Sequence, residues 1–180
     1  PTDAPTPTKT PTGVVSKTPT RTPTKTITPT QAVISGCTNW AIHETSGTDS
    51  KLVKINDSLT SVSVVQSYSC SSGLCDVESM DSDPAGNLYL MFNSNKTLYK
   101  ANINASDGIA DGTLTYVAKV AYNITGLSFR NSDGALWAWV PGKGFYTINI
   151  TTGVMTLRMS STLTNGNGIA WDNNSQYLYL

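Results

Sequence analysis

The sequence predicts an all-β chain built from repeated antiparallel sheets, and three observations carry that expectation. One phrase recurs: 79–89, 126–137 and 168–179 each read as a short apolar strand, a tight turn of Asp, Asn, Ser and Gly, then a second apolar or aromatic strand. A weaker echo surrounds Trp40. A second phrase, 51–56, 97–102 and 144–149, ends each time in an asparagine, and these asparagines lie 46 and 47 residues apart. After residue 30 no segment sustains the i, i+3, i+4, i+7 apolar spacing of a helix, whereas short runs rich in Val, Ile, Tyr, Trp and Thr recur. A repeat of this length holding four strand-like pieces is the signature of β-propeller blades. The expectation is about three four-stranded antiparallel blades and a truncated fourth, over residues 31–180.

An extended tail precedes them. Residues 1–30 are almost wholly Pro, Thr, Lys and Arg. With so little apolar surface to bury, ordering them would cost entropy without an offset. A semi-stiff polyproline II-like spacer is expected, reaching roughly 90 Å if fully extended. Such composition suits an O-glycosylated stalk or an unmodified linker.

The blades follow in order. The earliest has strands near 39–44, 50–56 and 61–68, with 32–36 a candidate for its innermost strand. The next uses 77–82, 87–92, 97–103 and 113–120. The best-defined runs from about 124 to 160. In it Leu136, Ala138 and Val140 alternate with Trp137 and Trp139, so both faces are apolar, as a sheet packed between two others requires. Tyr146 and Ile148 alternate with Thr147 and Asn149, which gives that strand one wet face. The last blade starts at Gly168, and the chain stops within a strand-like run at Leu180. Closed propellers need at least four blades. The expectation is that the natural protein continues or that other chains cover the open apolar faces.

Composition excludes several classes of function. Lys and Arg balance Asp and Glu, 12 against 12. Lys9, Lys17, Arg21 and Lys25 sit in the tail, so the folded part is mildly acidic and lacks the basic field that nucleic acid needs. No apolar run is long enough to span a bilayer. No Gly-rich phosphate loop opens a helix. His43 is the single histidine, so a Ser-His-Asp triad would have to use it; a strand or loop histidine without a special role is the simpler expectation.

Three cysteines are present. Cys70 and Cys75 bracket a short loop with Gly73 at its bend, which leaves a disulfide, two buried thiols or a metal pair open to them. The disulfide is the expected state, because one histidine and no second cysteine pair serve zinc poorly. Cys37 is left over. Oxidised cysteines fit a secreted or cell-surface protein. Six N-x-S/T sequons, at Asn56, Asn95, Asn104, Asn123, Asn149 and Asn173, fall at expected strand ends and turns. They are candidates for glycans, or plain turn formers.

Asp76, Glu78, Asp81 and Asp83 lie in and after one innermost strand. Asp81 and Asp83 share a face by period 2, and Asp81-x-Asp83-x-x-Gly86 begins like a calcium loop, although Ala85 stands where an oxygen ligand belongs. Ca²⁺ at Asp81 and Asp83, a catalytic carboxylate, and simple turn-forming aspartates are the three readings, the last being the simplest. Trp137, Trp139 and Trp171 are expected to pack between blades rather than to stack on sugars.

The strand-turn-strand phrase ending in Asp83-Pro84-Ala85-Gly86-Asn87-Leu88-Tyr89, together with Phe145-Tyr146-Thr147-Ile148-Asn149-Ile150-Thr151-Thr152-Gly153, resembles the NHL and YncE-like bacterial propellers. Ser82 departs from that pattern, which has an apolar residue where Phe129 and Trp171 stand. The resemblance implies a ligand-bearing face made of loops 45–50, 69–76, 93–96, 121–125, 141–144 and 160–167. The function expected is a non-catalytic module for adhesion, scaffolding or extracellular assembly, with protein or carbohydrate partners. The alternatives are an extracellular propeller enzyme acting on polysaccharides or lactones, and a filament subunit that self-associates through open sheet edges.

Overall fold

The computed structural model describes residues 39–44, 49–56, 58–103 and 110–180, all within one unit, Ser35–Leu180. The Pro/Thr-rich tail, the 32–36 candidate strand, Cys37 and Asn104 lie outside the described residues. Among the described residues thirteen strands form four antiparallel sheets, each a simple meander. The first sheet holds β1 (Asn39–Glu44), β2 (Ser50–Ile55) and β3 (Val62–Tyr68). The second holds β4 (Val77–Ser82), β5 (Leu88–Phe92), β6 (Thr97–Ile103) and β7 (Ala110–Lys119). The third holds β8 (Gly126–Arg130), β9 (Ala135–Val140), β10 (Gly144–Ile148) and β11 (Met155–Ser160). β12 (Ala170–Trp171) and β13 (Leu178–Tyr179) form a two-stranded fourth. Among the described residues the one helical element is a 3₁₀ turn at Cys70–Ser72. No described helix is long and apolar enough to cross a membrane.

This is a propeller-like arrangement. β4 lies beside β8 and β8 beside β12, so the first strands of successive blades are neighbours. β3 lies beside β7, outermost strand against outermost strand. The asparagine phase places β1–β3 as strands two to four of the first blade, because Asn56 follows β2 as Asn149 follows β10. One strand boundary differs by more than two residues from the sequence expectation. β7 starts at Ala110, three residues early, because its pairing with β6 extends through a register shift to Ile103↔Ala110.

Alternation builds the core. Leu88, Leu90 and Phe92 join Leu52, Tyr68 and Val77 in a cluster between the first and second sheets. The intervening Tyr89 and Met91 face the other way, against Leu127, Phe129, Leu136, Ala138 and Val140 of the third sheet. Trp139 on the reverse side of β9 packs with Phe145 and Ile169, joined by the half-buried Trp137 and Leu178. Each fully buried large side chain contributes about 1.5–3 kcal/mol, so two-faced strands are what hold one blade on the next. The tryptophans are packing residues, as expected: Trp137 meets Trp171 edge-on at 5.2 Å and Trp139 meets Phe145 at 4.7 Å.

Candidate functional site

The polar residues near the first strands do two things. Strand pairing aligns Asp81 with Ser128 and Ala170, since Asp81↔Tyr89, Ser128↔Trp137 and Ala170↔Tyr179 are equivalent pairs. A first strand has a backbone edge without a sheet partner, and buried N–H groups there need an acceptor. Asp81 Oδ2 accepts the Phe129 N–H across the blade junction at 2.6 Å. One blade on, Ser128 Oγ accepts the Trp171 N–H at 3.1 Å. The two clamps thus repeat at one position of successive blades. Burial raises the Asp81 carboxyl above its ordinary range, against the opposing pull of Phe129, Ser82 and Ser128 as donors. At the loop face, Ser50 Oγ accepts the Val77 N–H, and the Asn93 amide bonds both the N–H and C=O of Ile124.

Asp83 stays in its own turn. Its Oδ1 accepts the Ala85 and Asn87 N–H groups and its Oδ2 accepts the Asn87 side-chain amide. Asp172, directly after β12, likewise accepts the Gln176 and Tyr177 N–H groups, and Asp133, later in the turn after β8, accepts the Ala135 N–H. Asp81 and Asp83 therefore act as backbone acceptors, one between blades and one within a turn.

The fold brings three other carboxylates together. Glu44 at the end of β1, Asp76 just before β4 and Glu78 within β4 place one oxygen each within 4.8 Å of one another. Sequence reasoning marked Asp76 and Glu78 as part of an acidic run and missed Glu44, which lies 32 residues away from Asp76 and joins only because β1 packs beside β4. Glu78 is raised above the usual glutamate range, first by partial loss of water, then by the hydrogen bond and charge of Asp76 and the charge of Glu44. It remains solvent-exposed, so salt screens much of that effect. Glu78 also borders a cavity of about 230 Å³ walled by Ile42, Met80, Leu127 and Ile169. His43 is exposed on β1 opposite Lys51 and touches none of this chemistry.

The trio sits beside a covalent ring. Cys70 and Cys75 form a disulfide across the turn between the first two blades. Gly73 at φ +76° closes the 3₁₀ turn, and Asp76, directly after Cys75, stands at φ +61°. Among the sequons, Asn123, Asn149 and Asn173 are exposed and Asn95 is half-buried. The Asn56 side chain is fully engaged: its amide donates to Ser58 and Thr60 hydroxyls and its oxygen accepts two backbone N–H groups. A broad open groove of about 830 Å³ lies on the side of the third sheet opposite the second, with Arg130, Trp137, Asn149 and Arg158 in its wall.

No family model matches the chain, and no curated protein is similar to it. Solved structures do resemble it. A luciferin-regenerating enzyme superposes with a TM-score of 0.54 at 11% identity, over 71% of this chain and 41% of that one. The chain thus spans less than half the length of that neighbour. At such low identity the likeness concerns the fold alone.

Proposed function

We propose that this chain is a non-catalytic propeller module of an extracellular or cell-surface protein, related to the NHL and YncE-like propellers, which binds a protein or carbohydrate and serves adhesion or assembly. One observation carries the reading. Asp81 and Ser128, on the strands where a propeller keeps its channel chemistry, use their oxygens to tie one blade to the next. The Cys70–Cys75 bond supports an oxidising compartment. The exposed Asn123, Asn149 and Asn173 suit glycans, whereas the engaged Asn56 does not. Exposed Val62 and Val64 on β3 suit contact with another chain. Ca²⁺ at Asp81 and Asp83 would have to share its oxygens with the Phe129, Ala85 and Asn87 N–H donors.

The enzyme reading is favoured by one feature, the crowded Glu44–Asp76–Glu78 trio with its raised Glu78. A single experiment separates the two. The secreted chain is incubated with cell-surface polysaccharides and with lactone substrates, and both retention and turnover are followed. Retention without turnover, unchanged in Glu78→Gln, supports the binding module. Turnover lost in Glu78→Gln supports the enzyme and sinks the first reading. Addition of Ca²⁺ in the same material, with the melting temperature as readout, tests the cation.

A further inference from the structure

We propose that the Cys70–Cys75 disulfide is a redox-operated latch: it holds Asp76 in place against Glu44 and Glu78, and its reduction lets this segment swing out while the propeller sheets stay folded.

The argument starts from what opposes the observed position of Asp76. A non-glycine residue at φ +61° occupies the left-handed region, which L-residues enter at a cost, though Asp less than most. Its carboxylate also lies among two others within 4.8 Å, so like charges push it outward at neutral pH. Both effects favour departure. What holds the segment is short and local. Cys75 exchanges hydrogen bonds with the Ser94 hydroxyl, its N–H donating at 3.4 Å and its C=O accepting at 2.8 Å. Asp76 C=O accepts the Asn93 N–H at 2.9 Å. Cys70 N–H donates to Asp49. The covalent ring, closed immediately before Asp76, restricts the turn to conformations that keep these bonds.

The ring is reachable. Cys70 is exposed, whereas Cys75 is buried at 4% exposure. A phosphine therefore approaches the bond from the Cys70 side. Two electrons and two protons convert the S–S bond into two thiols, and the phosphine leaves as its oxide with an oxygen from water. Once the ring is cut, Cys70–Asp76 gains freedom and carboxylate repulsion acts without the cross-link. The cluster between the second and third sheets lies away from this turn, and the one between the first and second reaches it through Tyr68, Leu74 and Val77 but rests mainly on Leu52, Leu88, Leu90 and Phe92.

The experiment uses the full chain, oxidised and phosphine-treated, with a Cys70→Ser/Cys75→Ser variant as a reductant-free check. Amide hydrogen exchange reads Asn93, whose N–H bonds Asp76, and Phe129, whose N–H bonds Asp81 far from the ring. Carbon-detected titration reads Glu78. In the reduced and variant forms the expected result is an acceleration of exchange at Asn93 about tenfold greater than at Phe129, which follows only the loss of global stability, and a Glu78 titration lowered toward the ordinary glutamate range. Asp76→Asn tolerates the left-handed backbone without the charge, so its Asn93 exchange should accelerate less on reduction. Three results each overturn the latch: Asn93 and Glu78 indifferent to reduction, Phe129 accelerating as much as Asn93, or Asp76→Asn responding as fully as the native chain.

Discussion

If Asp81 is a clamp between blades, its acceptor oxygen matters and its charge does not. Asp81→Ala removes the partner of the Phe129 N–H, a group on a residue with only 4% exposure. A buried donor left without an acceptor costs about 1–3 kcal/mol. Part of that returns, because the ionised carboxylate is itself held at a cost, as its raised pKa records. The net expectation is a loss of about 1–2 kcal/mol, or a fall in melting temperature of roughly 2–8 °C for a domain of this size. Asp81→Asn keeps a carbonyl oxygen for Phe129 and sheds the charge, so it should lie within about 0.5 kcal/mol of the native chain at neutral pH. The pH dependence has a definite sign. A carboxyl whose folded pKa is raised binds its proton more tightly in the folded state, so stability falls as pH rises from the unfolded pKa through the raised one. Asp81→Asn should flatten that descent. The assay is urea denaturation of the three proteins across the carboxylate range, with Phe129 amide exchange as the local readout. Equal losses for Asp81→Ala and Asp81→Asn, or no loss for either, would refute the clamp.

The same logic extends to four further outcomes. Ser128→Ala strips the acceptor from Trp171 N–H and should cost about 1 kcal/mol, while Ala170→Ser has no such donor to rescue within the described residues and should be near neutral in denaturation. Gly153 stands at φ +74° with a would-be Cβ 2.1 Å from Lys119 O of the neighbouring blade, so Gly153→Ala should cost about 3 kcal/mol or more and lower the melting temperature by several degrees. The Arg130 guanidinium draws the Asp133 carboxyl down to about 2. Its stabilisation is present above the ordinary aspartate range and lost as pH falls toward 2; both groups are part-exposed, so Arg130→Ala should cost under about 1 kcal/mol from the ion pair, measured by denaturation in low and high salt. Cys70→Ser/Cys75→Ser should lower global stability by about 2 kcal/mol through the freed loop entropy of the unfolded chain, again read by urea titration.

Much of the fold was legible because the period is long and the strands are two-faced. Asn56, Asn102 and Asn149 mark equivalent strand ends, and the alternation of Leu136, Ala138 and Val140 with Trp137 and Trp139 told correctly that this sheet has a neighbour on each side. The turns were legible too, since Asp83, Asp133 and Asp172 each gather the backbone N–H groups that follow them. The start of β7 was not, because Ala110-Asp111-Gly112 carries no strand propensity and pairs only through the register shift opposite Ile103. Glu44 was not, because nothing local separates it from any other strand-end glutamate; it joins Asp76 and Glu78 by tertiary contact alone.

Asp81 shows why the acidic run did not identify its chemistry. A metal ligand, a catalytic base and a backbone acceptor all require the same oxygen, so residue type cannot choose among them. Position in the repeat can. Aligned by strand pairing, Asp81 and Ser128 fall at one site, and a serine there does the work of an aspartate. A site that accepts either residue needs a short side chain with a lone pair, not a negative charge. Both then meet the N–H of the residue one step on in the next blade, Phe129 and Trp171, each at the position where Ser82 breaks the apolar pattern in the second blade. The substitution of oxygen types at a fixed phase is therefore the signal for a structural clamp. At the equivalent position of β12, Ala170 carries a methyl group and offers no such acceptor.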